Sequence, residues 1–139
     1  MYDPRFVLNS FDTLSPDAKV RFLYHLLDSL ILADTLYLYA TPSCPLLYDA
    51  GLEYQAEEIG HDDWRDIPAV LEHRGGDCED LACYRVAELR VRSGEQARPR
   101  VTSRVIASPK YGSFTLYHIT VIRGDGSIED PSKNLGMPT

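Results

Sequence analysis

Apolar residues in the first third of the chain follow a helical period. From position 20 onward they recur at steps of three and four residues, as along one face of an α-helix, at Val20, Leu23, Leu27, Leu30 and Ile31. Ser15 followed by Pro16 is typical of a helix start, because serine caps free N–H groups and proline has none to cap. The pattern predicts a helix from Pro16 to about Asp34.

The middle of the chain is more broken. Residues 41–51 contain two prolines and a glycine, which predicts a loop that ends in a short helical turn. Residues 62–72 predict a short helix that is entered through acidic residues and ended by Arg74-Gly75-Gly76. A second long helix is predicted from Asp77 to about residue 93, with an inner face formed by Leu81, Ala82, Val86 and Leu89.

The last third of the chain is rich in residues that favour β-structure. Residues 100–108 and 114–123 alternate as strands do, and Gly124-Asp125-Gly126 is a hairpin turn signal. Residues 127–130 predict a short returning strand that ends at Pro131. Helices followed by a small antiparallel sheet predict an α+β fold. We expect a single domain over residues 1–139, with an N-terminal helical segment at 1–40 and a core at 41–139.

Composition and charge exclude some classes of function. The chain has 139 residues and a formal net charge of −7, which disfavours nucleic acid as a partner. No apolar run is long enough to span a membrane, and we expect no signal peptide. The three cysteines, Cys44, Cys78 and Cys83, are an odd number without paired CxxC spacing, which favours reduced thiols in a cytoplasmic protein and disfavours a zinc ribbon.

Cys78 has an unusual setting for a structural cysteine, because it follows two glycines and precedes two acids at a predicted helix start. A thiol attacks as the thiolate, and two devices would lower its pKa here. The first is the N-terminus of the helix, and the second is a neighbouring imidazolium if His118 folds over it. The glycines would leave the approach to Cys78 unobstructed by side chains.

His118 and Asp130 are predicted to share one face of a hairpin. Counting outward from the turn places Val121 opposite Glu129 and Thr120 opposite Asp130, so His118 is a diagonal neighbour of Asp130 within side-chain reach. A slip of one residue would put the two on opposite faces. With this register, the residues leave two interpretations open. One is a Cys-His-Asp nucleophilic site, and the other is an α+β domain with a buried cysteine and a surface histidine.

Three motifs in this order resemble the transglutaminase-like cysteine peptidase superfamily, in particular its short bacterial and phage-type members. They are Gly76-Asp77-Cys78-Glu79-Asp80, Tyr117-His118 and Asp130-Pro131. The resemblance covers roughly residues 40–137 and implies a papain-like core in which the helix of the nucleophile packs on the sheet. It also implies Cys78 as nucleophile, His118 as base and then acid, and Asp130 as the residue that orients His118. No metal or organic cofactor is implied.

Other residues of the predicted site are less certain in role. The family uses an upstream group as the second oxyanion donor, for which Gln55 and Trp64 are candidates. As alternatives, Gln55 is a surface residue and Trp64 a core anchor. Asp77 either caps the helix or holds the backbone of the site. We expect Cys83 to point away from Cys78 and Cys44 to be structural, with exposure in its loop as the alternative. The tyrosines are expected first at the edge of the core, and the alternative for one near Cys78 is that it lines a substrate groove.

The function that the resemblance implies is hydrolysis of a peptide, isopeptide or amide bond through a thioester. Alternatives are a transamidase and a catalytically silent module that binds a partner. The expected partner is a protein or peptide substrate, neither nucleic acid nor membrane. A phage or virion protein is a further expectation from the resemblance, with a virion-associated location if the protein is phage-encoded.

Overall fold

The computed structural model describes residues 14–57, 63–110 and 112–138, and helices and strands alternate along them in an α+β arrangement. A single 3-10 turn at Leu47–Asp49 confirms the short turn expected in the loop. The elements follow in the order α1 (Pro16–Ala40), β1 (Glu53–Tyr54), α2 (Ile67–His73), β2 (Gly75–Gly76), α3 (Cys78–Ser93), β3 (Arg98–Ser108), β4 (Gly112–Ile122), β5 (Ile128–Glu129) and α4 (Pro131–Asn134).

Helix α1 begins as predicted but runs further. The hydroxyl oxygen of Ser15 accepts a hydrogen bond from the N–H of Ala18 at 3.2 Å, which confirms the cap. The helix continues past Asp34 to Ala40. The predicted end was wrong because Asp34 is a buried residue. Its Oδ1 accepts a hydrogen bond from the N–H of Ile67 at 2.8 Å, so this polar side chain ties α1 to the start of α2.

The hydrophobic core lies between α1, α3 and the inner face of the β3–β4 hairpin. The predicted inner faces of both long helices are confirmed, and Ile119 and Val121 close the core from the sheet side. Within the described part of the chain, none of the helices has the length and apolar character needed to cross a membrane.

The larger sheet has the strand order β3-β4-β5, and every pair is antiparallel. Strands β3 and β4 begin two residues earlier than predicted and form a hairpin of 11 residues on each side. Strand β5 covers only two residues and pairs at Val121↔Glu129 and Ile122↔Ile128. This register is the one expected from the turn.

The two glycines before Cys78 lie in a buried strand. Arg74, at φ 61°, takes the left-handed position that ends α2, and the glycines form β2, parallel to β1. Both are buried. A Cβ on Gly75 would overlap the carbonyl oxygen of Glu53, and one on Gly76 would lie 2.7 Å from Oδ2 of Asp80. They therefore permit close packing of backbone and side chain beside α3.

Candidate active site

The N-terminus of α3 holds Cys78 in a fixed position. Asp77 is the N-cap residue, as one of the two predicted roles requires, and it closes a capping box with Asp80. The Oδ2 of Asp80 accepts from the N–H of Asp77 at 3.1 Å, and its Oδ1 accepts from the N–H of Arg65 at 2.7 Å. The first turn of α3 is thus tied to the segment before α2, so Cys78 does not depend on a free loop for its position.

His118 and Asp130 are in direct contact. Nε2 of His118 lies 2.8 Å from Oδ2 of Asp130, and both side chains are largely buried. Oδ1 of Asp130 accepts from the N–H of Lys133 at 3.2 Å, because Asp130 is also the N-cap of α4. Pro131 was predicted only to end a strand, and it also begins this helix, which no sequence pattern indicated. Both carboxylate oxygens therefore have a partner, which restricts the orientation of the imidazole.

The thiol of Cys78 lies against strand β4 at the level of His118. The backbone N–H of Ile119, the residue that follows His118, acts on the thiol and lowers its pKa, against the larger effect of burial. Since Asp130 holds Nε2 of the imidazole, Nδ1 is the ring atom that remains to exchange a proton with a nearby group. The structure thus joins His118 to Asp130, and the convergence of Cys78 with this pair into a triad stays a prediction.

The pKa of the Cys78 thiol is raised, which contradicts the expected lowering. Burial is the largest cause, the Asp77 carboxylate adds to it, and together they raise the pKa to about 12. The N–H of Ile119 and a contact of the sulfur with Oε2 of Glu79 at 3.3 Å act in the opposite direction and are weaker. The thiol is therefore neutral at pH 7, and its proton has to be removed during attack.

Carboxyl groups surround this thiol. Burial, followed by repulsion from Asp77, raises the pKa of both Glu79 and Asp80 well above the usual range. Glu57, Asp77 and Glu79 each offer an oxygen, and these atoms all lie within 4.8 Å of one another. In the stretches that the structure describes, this is the one group with the spacing of cation ligands. Acidic side chains converge in this way without an ion as well, so the spacing assigns no metal.

The two oxyanion candidates are engaged in other contacts. Nε2 of Gln55 donates to the carbonyl oxygen of His73 at 2.9 Å, and its Oε1 accepts from Nη1 of Arg65 at 2.8 Å. Trp64 packs against the core, in line with the anchor role weighed for it. These contacts hold Gln55 beside Arg65 and Trp64 against the core, and the oxyanion role of either side chain stays a prediction.

Sequence reasoning did not single out Ile119 or Tyr54. Burial raises the pKa of the Tyr54 hydroxyl, and the next cause is the charge of Cys78, so this tyrosine lies close to the thiol. Tyr54 is thereby the candidate for a tyrosine that lines a substrate groove, a role that stays a prediction. Neither residue had a local signal, because β1 and β4 meet the thiol only through the tertiary packing.

The other two cysteines lie inside the protein. Cys83 is fully buried, and its thiol points toward the carbonyl oxygen of Leu27 at 3.8 Å. Cys44 is also buried, between the carbonyl oxygen of Pro45 and the hydroxyl of Tyr84, each at 3.5 Å from its sulfur. The structural interpretation of Cys44 is confirmed and its alternative, exposure, is wrong, because the loop folds back over α3. Cys78 is the most accessible of the three thiols.

No protein-family model matches this chain, and comparison with curated proteins and with solved structures finds no match either. The geometry of the site is therefore the basis on which a function is assigned.

Proposed function

We propose that this protein is a cysteine-dependent acyl-transfer enzyme that hydrolyses a peptide or amide bond through a thioester, on a papain-like arrangement of helix and sheet. One observation carries the proposal. His118 is bonded to Asp130 at 2.8 Å, and the backbone N–H of the next residue along the strand, Ile119, lowers the pKa of the Cys78 thiol. This arrangement supports a site in which a nucleophile, a base and the group that orients the base act together.

The proposed reaction has two halves. As the sulfur of Cys78 attacks the substrate carbonyl carbon, Nδ1 of His118 takes the thiol proton. The imidazolium, steadied by Asp130, gives that proton to the leaving amine, and the carbon–nitrogen bond breaks to leave a thioester. Water then attacks the thioester with His118 again as base, which releases the carboxylic acid and restores the thiol. In both halves a backbone N–H at the start of α3 is positioned to stabilise the oxyanion.

A neutral resting thiol fits this route better than a preformed ion pair. The raised pKa of Cys78 keeps the proton on sulfur until substrate arrives, so the imidazole serves as a true general base. The rate of this route depends more on the fixed orientation of the imidazole than the rate with a preformed ion pair does, because proton transfer and attack occur together.

Acylation by p-nitrophenyl acetate tests the proposal without knowledge of the natural substrate. We expect a burst of nitrophenol close to one equivalent, with the acetyl group located on Cys78 by mass spectrometry of peptides. Cys78→Ala abolishes the burst, whereas Cys44→Ala, the matched change at a buried thiol, preserves it. If no burst appears, or if the acetyl group is found on Cys44, the protein is a catalytically silent module. Addition of a primary amine after the burst separates transamidation, which transfers the acetyl group to the amine, from hydrolysis.

A further inference from the structure

The face of the β3–β4 hairpin that carries His118 also carries a row of arginines. Cross-strand pairing puts Thr102 opposite His118, and alternation along β3 places Arg98, Arg100 and Arg104 on the same face. All three arginines are exposed. The row, which we call the arginine stripe, therefore runs directly alongside the proposed base.

The arginine stripe lacks the neutralising partners that other arginines of this chain have. Arg85 and Arg123 are each bonded to Glu129 and to a second glutamate. Within the described residues, none of the three arginines of the stripe has an ion pair or a hydrogen bond from its side chain. Neither 11-residue strand contains an acidic residue, although the chain has 21 Asp and Glu. Positive charge is thus concentrated on the face of the hairpin that carries His118.

The spacing of the arginine stripe matches that of an extended polypeptide. Side chains on one face of a strand repeat every ~6.6 Å, so Arg98 and Arg100 are separated by one such repeat and Arg100 and Arg104 by two. A peptide in an extended conformation presents its alternate side chains at the same interval. Phe114 and Leu116, on the same face, add apolar surface toward the tip of the hairpin.

We propose that this face docks an acidic, extended segment of the protein substrate, with carboxylates on both sides of the bond that is cleaved. The proposal deepens the proposed function and rests on it, since Thr102, opposite His118, lies between Arg100 and Arg104. A peptide fits better than single-stranded nucleic acid, because the repeat of the stripe is that of a β-strand.

Binding of short peptides to the Cys78→Ser variant tests this proposal separately from catalysis. The probe is a fluorescent ten-residue peptide of alternating Glu and Ala, measured by anisotropy at low salt. We expect Arg100→Gln and Arg104→Gln each to weaken binding about threefold, the range for one exposed ion pair, and added salt to weaken it further. Arg21→Gln, an exposed arginine on α1, is the matched control and leaves binding unchanged.

A second probe, a ten-residue peptide of alternating Lys and Ala, carries the opposite charge. If the proposal is right, this peptide does not bind. Equal binding of the two peptides overturns it, as does an Arg21→Gln variant that loses as much affinity as Arg100→Gln. Displacement of the acidic peptide by a ten-residue oligothymidine would assign the stripe to nucleic acid and equally overturn the proposal. Circular dichroism of each variant confirms that it is folded. An absent burst with p-nitrophenyl acetate would refute the proposed function and leave the peptide-binding result intact.

Discussion

Replacement of His118 by alanine tests whether the imidazole removes the proton of Cys78. A thiol with a pKa of about 12 is ionised in about one molecule in 100,000 at pH 7, compared with about 3 in 100 for a free cysteine. A general base contributes about 10²- to 10⁴-fold to such a step. His118→Ala should therefore slow alkylation of Cys78 by at least about 100-fold at pH 7.

The assay is alkylation by iodoacetamide, followed by mass spectrometry of the three cysteine-containing peptides over time. In the wild-type protein Cys78 is expected to react much faster than the buried Cys44 and Cys83. In the His118→Ala variant the rate at Cys78 should rise about tenfold per pH unit up to at least pH 10, because only the scarce thiolate then reacts.

A matched histidine variant supplies the control. His25 is exposed on α1, away from the sheet, so His25→Ala should leave the alkylation rate at Cys78 unchanged. An unchanged rate in His118→Ala, or a loss as large in His25→Ala, would refute the assignment of the base.

Two further predictions concern the packing around the site. Burial raises the pKa of Asp34 well above its usual range, so its stabilising contribution is complete below about pH 4 and declines as the pH rises. The free energy of unfolding of Asp34→Asn, measured with urea, should therefore increase relative to that of the wild-type protein as the pH rises from 4.5 to 7.5. A difference between the two proteins that does not change with pH would contradict this. Gly75→Ala should lower the free energy of unfolding by about 1–3 kcal/mol, because its Cβ would overlap the carbonyl of Glu53. An unaltered urea midpoint would show that β1 can move aside.

Local patterns were sufficient wherever the partners are close along the chain. The contact between His118 and Asp130 followed from strand period and from the position of one glycine-rich turn, because a hairpin register depends on neighbouring residues only. The start of α3 at Cys78 followed from its capping residues in the same way. The apolar face of α1 was also predictable from local sequence, in the part of the helix where apolar residues recur at regular steps of three and four.

Contacts between distant segments were beyond the reach of those patterns. The end of α1 was placed too early, because Asp34 looks like a surface residue until Ile67 is folded against it. The side-chain amide of Gln55 bonds to Arg65 and to the backbone of His73, and no local pattern indicates either contact. The same limit applies to Gly75, whose close neighbour is another strand.

By itself, the sequence determined which residue types stand at the helix start and along the hairpin, since capping and strand alternation act over a few residues. Only the tertiary structure decided that the thiol lies against Ile119 and that its pKa rises to about 12. The physical reason is that desolvation and charge repulsion depend on everything packed around the sulfur. Asp77 is next to Cys78 in the chain, but the strength of its repulsion also depends on how far the surrounding fold excludes water from the two groups.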